Sequence, residues 1–142
     1  MVELNHRFET GKDTDYNWAA VLDLDRIIPC VEGGKVIERE SDEKAKAEIK
    51  VKMGAMSMTF RGTVEVTERD DEAHSALLAV RSKDVGGSGY ANADVRVSVD
   101  DGGGDLNTKA TINGKAASMG EGVVQSVLDA LIKDFTSKLA SI

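Results

Sequence analysis

The sequence predicts an α+β fold: a curved, seven-stranded antiparallel sheet wrapped around a long C-terminal helix, with two short helices between strands 1 and 2. Three observations predict it. Apolar and polar residues alternate from residue 43 to 116, turn signals interrupt that alternation, and an amphipathic helical pattern ends the chain. The 142 residues suit a single domain, 1–142. With 41% apolar and 30% charged residues, the composition is that of a globule and not of a disordered chain.

In chain order, "VELNHRFET" comes first. It directs Val2, Leu4, His6 and Phe8 inward and Glu3, Asn5, Arg7 and Glu9 outward. "DTDYNWAAVLDLDRIIPC" predicts a helix capped near Asp13 or Thr14, then a short second helix stopped by Pro29. "KVIERE" (35–40) predicts the second strand.

The meander follows. A two-residue turn at Gly54-Ala55 pairs Met53 with Met56, Val51 with Met58, Ile49 with Phe60, Ala47 with Gly62 and Ala45 with Val64. Every pair is apolar or small, while Lys46, Glu48, Lys50 and Lys52 fall on the other face with Arg61. A Gly87-Ser88 turn pairs Val80 with Val95, Leu78 with Val97, Ala76 with Val99 and Ser82 with Ala93, and sets Arg81 opposite Asp94. Looser hairpins at "ERDDEA" and "DDGGGD" complete five strands; Leu106, Ala110 and Ile112 continue the apolar face.

Ser118-x-x-Glu121 has capping-box spacing and predicts a helix over 118–140. Its apolar arc holds Val123, Val124, Val127, Leu128, Leu131, Ile132, Phe135 and Leu139, which calls for a broad apolar support. The meander's inner face supplies one. Small residues there (Ala47, Gly62, Ala76, Ala91, Ala93, Ala110) leave room for a cavity. The expected lining is Met53, Met56, Met58, Phe60, Leu78, Val80, Val95, Val97, Ile112, Met119, Val123, Val127 and Leu131, with His6. Methionine is unbranched and polarisable, so such a wall adapts to a prenyl or acyl chain. His6 is either a satisfied core histidine or a hydrogen-bond donor to a quinone carbonyl.

Other chemistries find little support. One Cys and two His give no zinc spacing, and "DDGGGD" lacks the EF-hand pattern and reads as a flexible turn. "GGSG" (86–89) joins antiparallel strands instead of opening a helix, so it is no dinucleotide fingerprint. Cys30 and His74 read as structural, and Arg61, Arg81 and Arg96 as a solvated outer face or a docking face. No basic patch stands out along a chain of net charge −7, which argues against nucleic acid and gives no sign of anionic membrane binding. A lone cysteine and the absence of a signal or spanning segment predict a cytoplasmic protein. No catalytic residue and no metal ligand is assigned.

"VKMGAMSMTFRGTVEVTERDDEAHSALLAVRSKD", "GGSGYANADV" and "TINGKAASMGEGVV" with the terminal helix resemble CoxG, a family named for a subunit of carbon monoxide dehydrogenase. That family belongs to the START-like (SRPBCC) helix-grip superfamily of hydrophobic-ligand binders. The strongest words are Phe60-Arg61-Gly62-Thr63, Glu68-Arg69-Asp70 and Asn113-Gly114-Lys115 leading into Gly120-Glu121-Gly122-Val123. Cys30 stands where members commonly have Gly and Ala55 where many have Pro; many members carry a linker and membrane-anchoring tail after the last helix, and the sequence here stops at Ile142. The resemblance implies a non-catalytic accessory of a molybdenum hydroxylase such as carbon monoxide dehydrogenase, for recruitment, electron-acceptor delivery or maturation. The implied ligand is a quinone or lipid with no covalently bound cofactor, and the implied location is cytoplasmic or peripheral to the inner face of the cell membrane. The alternatives are a superfamily enzyme of cyclase or dehydratase type and a ligand-free interaction domain.

Overall fold

A computed structural model describes residues 1–142. Its elements are β1 (Val2–Glu9), α1 (Thr14–Leu22), α2 (Leu24–Ile27), β2 (Gly34–Ser41), β3 (Lys44–Met53), β4 (Met56–Asp70), β5 (Ser75–Asp84), β6 (Gly89–Asp100), β7 (Gly103–Gly114) and α3 (Glu121–Leu139). The strands form one open antiparallel sheet of order β1-β7-β6-β5-β4-β3-β2, and α3 packs along β1 on its inner face.

The β3–β4 hairpin has the register its alternation predicts, with Met53 opposite Met56 and Ala47 opposite Gly62. The β5–β6 register differs by two residues: Leu78 faces Val95, Val80 faces Ala93 and Ser82 faces Ala91. A two-residue slip keeps every side chain on its face, so alternation cannot detect it. The turn decides it. Residues 85–88 form a four-residue loop in which the Asp84 carboxylate accepts from Gly86 N at 2.9 Å and from the Ser88 hydroxyl. Arg81 sits opposite Asn92 yet still reaches Asp94 diagonally, at 2.9 Å.

Asp13 caps α1 by accepting from Tyr16 N at 2.9 Å. The "DDGGGD" turn is anchored, not loose: Asp101 accepts from Thr14 N and Oγ1, and Asp100 binds Arg7. Buried Asn17 donates to the Lys12 and Asp100 carbonyls, and Trp18 Nε1 donates to Asp71 at 3.0 Å. These bonds fix α1 over the end of the sheet that carries the β4–β5 and β6–β7 turns. The predicted capping box does not form. Ser118 Oγ donates back to the Lys115 carbonyl at 2.6 Å, a 3-10 turn covers Ala117–Met119, and Gly120 (φ +98°) precedes a helix that begins at Glu121. Only glycine adopts that φ without strain.

Candidate functional site

The core is divided. One cluster gathers Phe8, Trp18, Leu24, Val97 and Leu106 beneath α1 and α2; another gathers Val2, Met53, Met58, Phe60, Ala116 and Val124 near the β3–β4 turn. Between them lies a cavity of about 270 Å³, and 26 of its 32 lining residues are hydrophobic.

Sheet register explains the space. Cross-strand pairing aligns Ala47, Gly62, Ser82, Ala91 and Ile112 in one inner row, and Val64, Val80, Ala93, Ala110 and Val2 in the next. Small residues in adjacent rows leave a trench that α3 spans but does not fill. Val127, Leu128, Leu131, Ile132, Phe135 and Leu139 form its helical wall. Gly62 is also required by close approach: a Cβ there would lie 1.9 Å from the Arg81 carbonyl oxygen.

The cavity offers little polarity. Ser82 Oγ donates to the Ala91 carbonyl at 2.6 Å, and Thr108 is a buried inner-face hydroxyl residue. Glu48 is the one ionisable residue along the lining, but its side chain alternates to the outer face, where the carboxylate pairs with Arg61 at 3.1 Å and Lys35 at 3.9 Å. The hydrogen bond from Arg61 holds that carboxyl below the usual range. Arg81 and Arg96 are likewise ion-paired, with Asp94 and Glu68, so the outer-face arginines form cross-strand pairs.

Nine predicted residues line the cavity: Met53, Phe60, Leu78, Val80, Val95, Val97, Ile112, Val127 and Leu131. Five do not. Met58 is buried in the second cluster, with Met56 and Met119 packed against it, so these methionines close the cavity's end instead of walling its length. Met56 and Met58 share the sheet's inner face, but the 3-10 turn that carries Met119 and the start of α3 occupy the space before them. Val123 lies in the first turn of α3 and is 41% exposed. His6 points inward, yet its Nε2 is 2.8 Å from Asp129 Oδ1 and ties β1 to α3, while Nδ1 is buried without a partner. Asp129 is held below the ordinary carboxylate range by Lys133 and then by His6. Its contribution to stability is therefore present above that range and lost as pH falls through the lowered pKa.

Cys30 Sγ donates to the Arg26 carbonyl at 3.3 Å, and burial pushes its thiol pKa up, the opposite of an activated nucleophile. No three His, Cys, Asp or Glu side chains are grouped to hold a metal ion, and no helix is long and apolar enough to cross a membrane. Sequence reasoning left Val21, Ile27, Ile28 and Val31 out of the lining, yet they wall the cavity from α1, α2 and the turn before β2. The stretch was readable as two helices, but nothing in its pattern said that those helices reach the cavity.

The family model for CoxG, a subunit of carbon monoxide dehydrogenase, matches residues 7–142. The chain belongs to the CoxG family. No curated protein sequence matches this CoxG-family chain significantly. Its fold is similar to that of a conserved protein from Geobacillus kaustophilus, with TM-score 0.81 and 24% identity over 98% of this chain and 93% of that one. It is also similar to the ZhuI aromatase/cyclase from Streptomyces sp. R1128, with TM-score 0.63 and 13% identity over 98% and 91%. A START superfamily protein from Mycobacterium smegmatis has TM-score 0.59 and 10% identity over 97% and 94%. At these identities the similarity establishes a START-like fold for the CoxG-family chain and leaves activity to the site itself.

Proposed function

We propose that this CoxG-family protein is a non-catalytic accessory that holds a lipophilic molecule, a quinone or a lipid, between α3 and the sheet. In this role it serves a molybdenum hydroxylase such as carbon monoxide dehydrogenase. The observation that carries the reading is the cavity of about 270 Å³, lined almost wholly by hydrophobic residues. Burying a ligand's chain there stabilises a complex by about 0.8 kcal/mol per CH₂ before the costs of association. The family membership supports the accessory role.

A cyclase-type enzyme is the competing reading, since a fold of this kind carries that activity in an aromatase/cyclase. Such chemistry needs acid–base groups facing the substrate. Here the buried polar side chains facing the cavity are Ser82 and Thr108, the Glu48 carboxylate is ion-paired on the outer face, and the His6–Asp129 pair lies outside the lining, which favours binding over catalysis.

Native mass spectrometry of freshly purified protein tests the proposal. A co-purifying neutral adduct, released on unfolding and identified as a quinone or lipid, is the expected result. A spectrum of apoprotein alone that stays unchanged after incubation with quinone and lipid would contradict it.

A further inference from the structure

We infer that Thr108 is a specificity-determining residue of the cavity: its hydroxyl donates to a neutral carbonyl oxygen of the bound molecule at the β7 wall. The inference rests on the ligand reading above and narrows it to one chemical class, a lipophile with an uncharged carbonyl.

Three hydroxyl residues belong to the lining: Thr63, Ser82 and Thr108. Thr63 sits opposite Lys46 and Arg81 and alternates to the outer face. Ser82 Oγ donates to the Ala91 carbonyl, just as the buried Thr136 Oγ1 on α3 donates to the Lys133 carbonyl. Thr108 differs. It is 5% exposed, faces inward between Leu4 on β1 and Val95 on β6, and its Oγ1 bonds to no protein group. A buried hydroxyl without a partner is uncommon and destabilising. Valine would fill the same space without that cost, and Val80, Val95 and Val97 do so in the surrounding wall.

The surroundings define what this hydroxyl can take. Ala93 lies diagonally across from Thr108 and pairs with Ala110, so small side chains leave room beside it. No lysine, arginine or histidine lines the cavity, and the Glu48 carboxylate is turned outward. A fatty-acid carboxylate would therefore lie there uncompensated, whereas a ketone, ester or quinone carbonyl needs only the one donor that Thr108 has free. Thr108 also stands on the closed side. Leu106, Thr108 and Ala110 on β7 are buried next to β1, along which α3 packs, while Ala47, Ile49 and Val51 on β3 are partly exposed. Water competes least at such a wall, so a hydrogen bond made there counts most.

Titration calorimetry of the full chain with three matched probes tests it: hexanophenone, hexylbenzene, which has a CH₂ in place of the carbonyl, and phenylhexanoate, which carries a carboxylate. Thr108→Val should weaken hexanophenone binding about fivefold, the worth of one hydrogen bond, and leave hexylbenzene as tight or tighter. Thr108→Ser should restore hexanophenone binding, and phenylhexanoate should show no saturable binding at neutral pH. The ligand-free Thr108→Val protein should melt at the wild-type temperature or above, because it loses an unpaired hydroxyl and no protein contact. An equal effect of Thr108→Val on both neutral probes, or none on either, would overturn the anchor while leaving the cavity a binding site. A lowered melting temperature, or phenylhexanoate bound as tightly as hexanophenone, would do the same. Failure of the wild-type protein to bind either neutral probe would overturn the anchor and the ligand reading together.

Discussion

Ala93→Phe should leave the protein as stable or more stable, by about 1 kcal/mol, while lowering affinity for a lipophilic ligand more than about tenfold. Ala93 lies between Val80 and Ala110 in a row of small residues, and its side chain faces the cavity. A phenyl ring there enters space that α3 leaves open and displaces whatever a ligand would place in it. In a solidly packed interior the same substitution would force neighbours off their rotamers and cost about 1–3 kcal/mol. Urea unfolding therefore reads the state of the cavity from the sign of the change alone. A clear destabilisation would mean that the trench is not open in solution.

Phe8→Ala should be the most damaging single substitution in the core, at about 3–5 kcal/mol. Phe8 is 2% exposed and joins β1 to the cluster beneath α1. Its ring lies against Gly104, the residue opposite it on β7, where a Cβ would come within 2.7 Å of the ring. Removing the ring therefore leaves a void that a glycine cannot help to fill. Domains of this kind are stable by about 5–15 kcal/mol, so the variant would approach the limit of folding. Chemical denaturation should show a lower midpoint with an unchanged slope; a loss below about 1 kcal/mol would show that the neighbours collapse into the gap.

Alternation made much of this fold legible, and its limits define what was not. Met53 opposite Met56 and Ala47 opposite Gly62 follow from the turn and the pattern together. Val80 opposite Ala93 does not, because a slip of two residues preserves the pattern and only the Asp84-bound loop distinguishes the registers. The same limit applies to the site. Inward direction was readable for Met56 and Met58, but depth along the strand was not, so residues that close the cavity looked like residues that line it. Ser118 and Glu121 had capping spacing, yet Gly120 takes the capping position and delays the helix.

An open apolar interior able to take a long chain underlies the proposed role. Titration calorimetry of the wild-type protein with a decyl-substituted benzoquinone, repeated at several temperatures, tests it most directly. A single saturable site with a negative heat-capacity change is the predicted result, the mark of apolar surface leaving water. Heats of dilution alone at every temperature would contradict it.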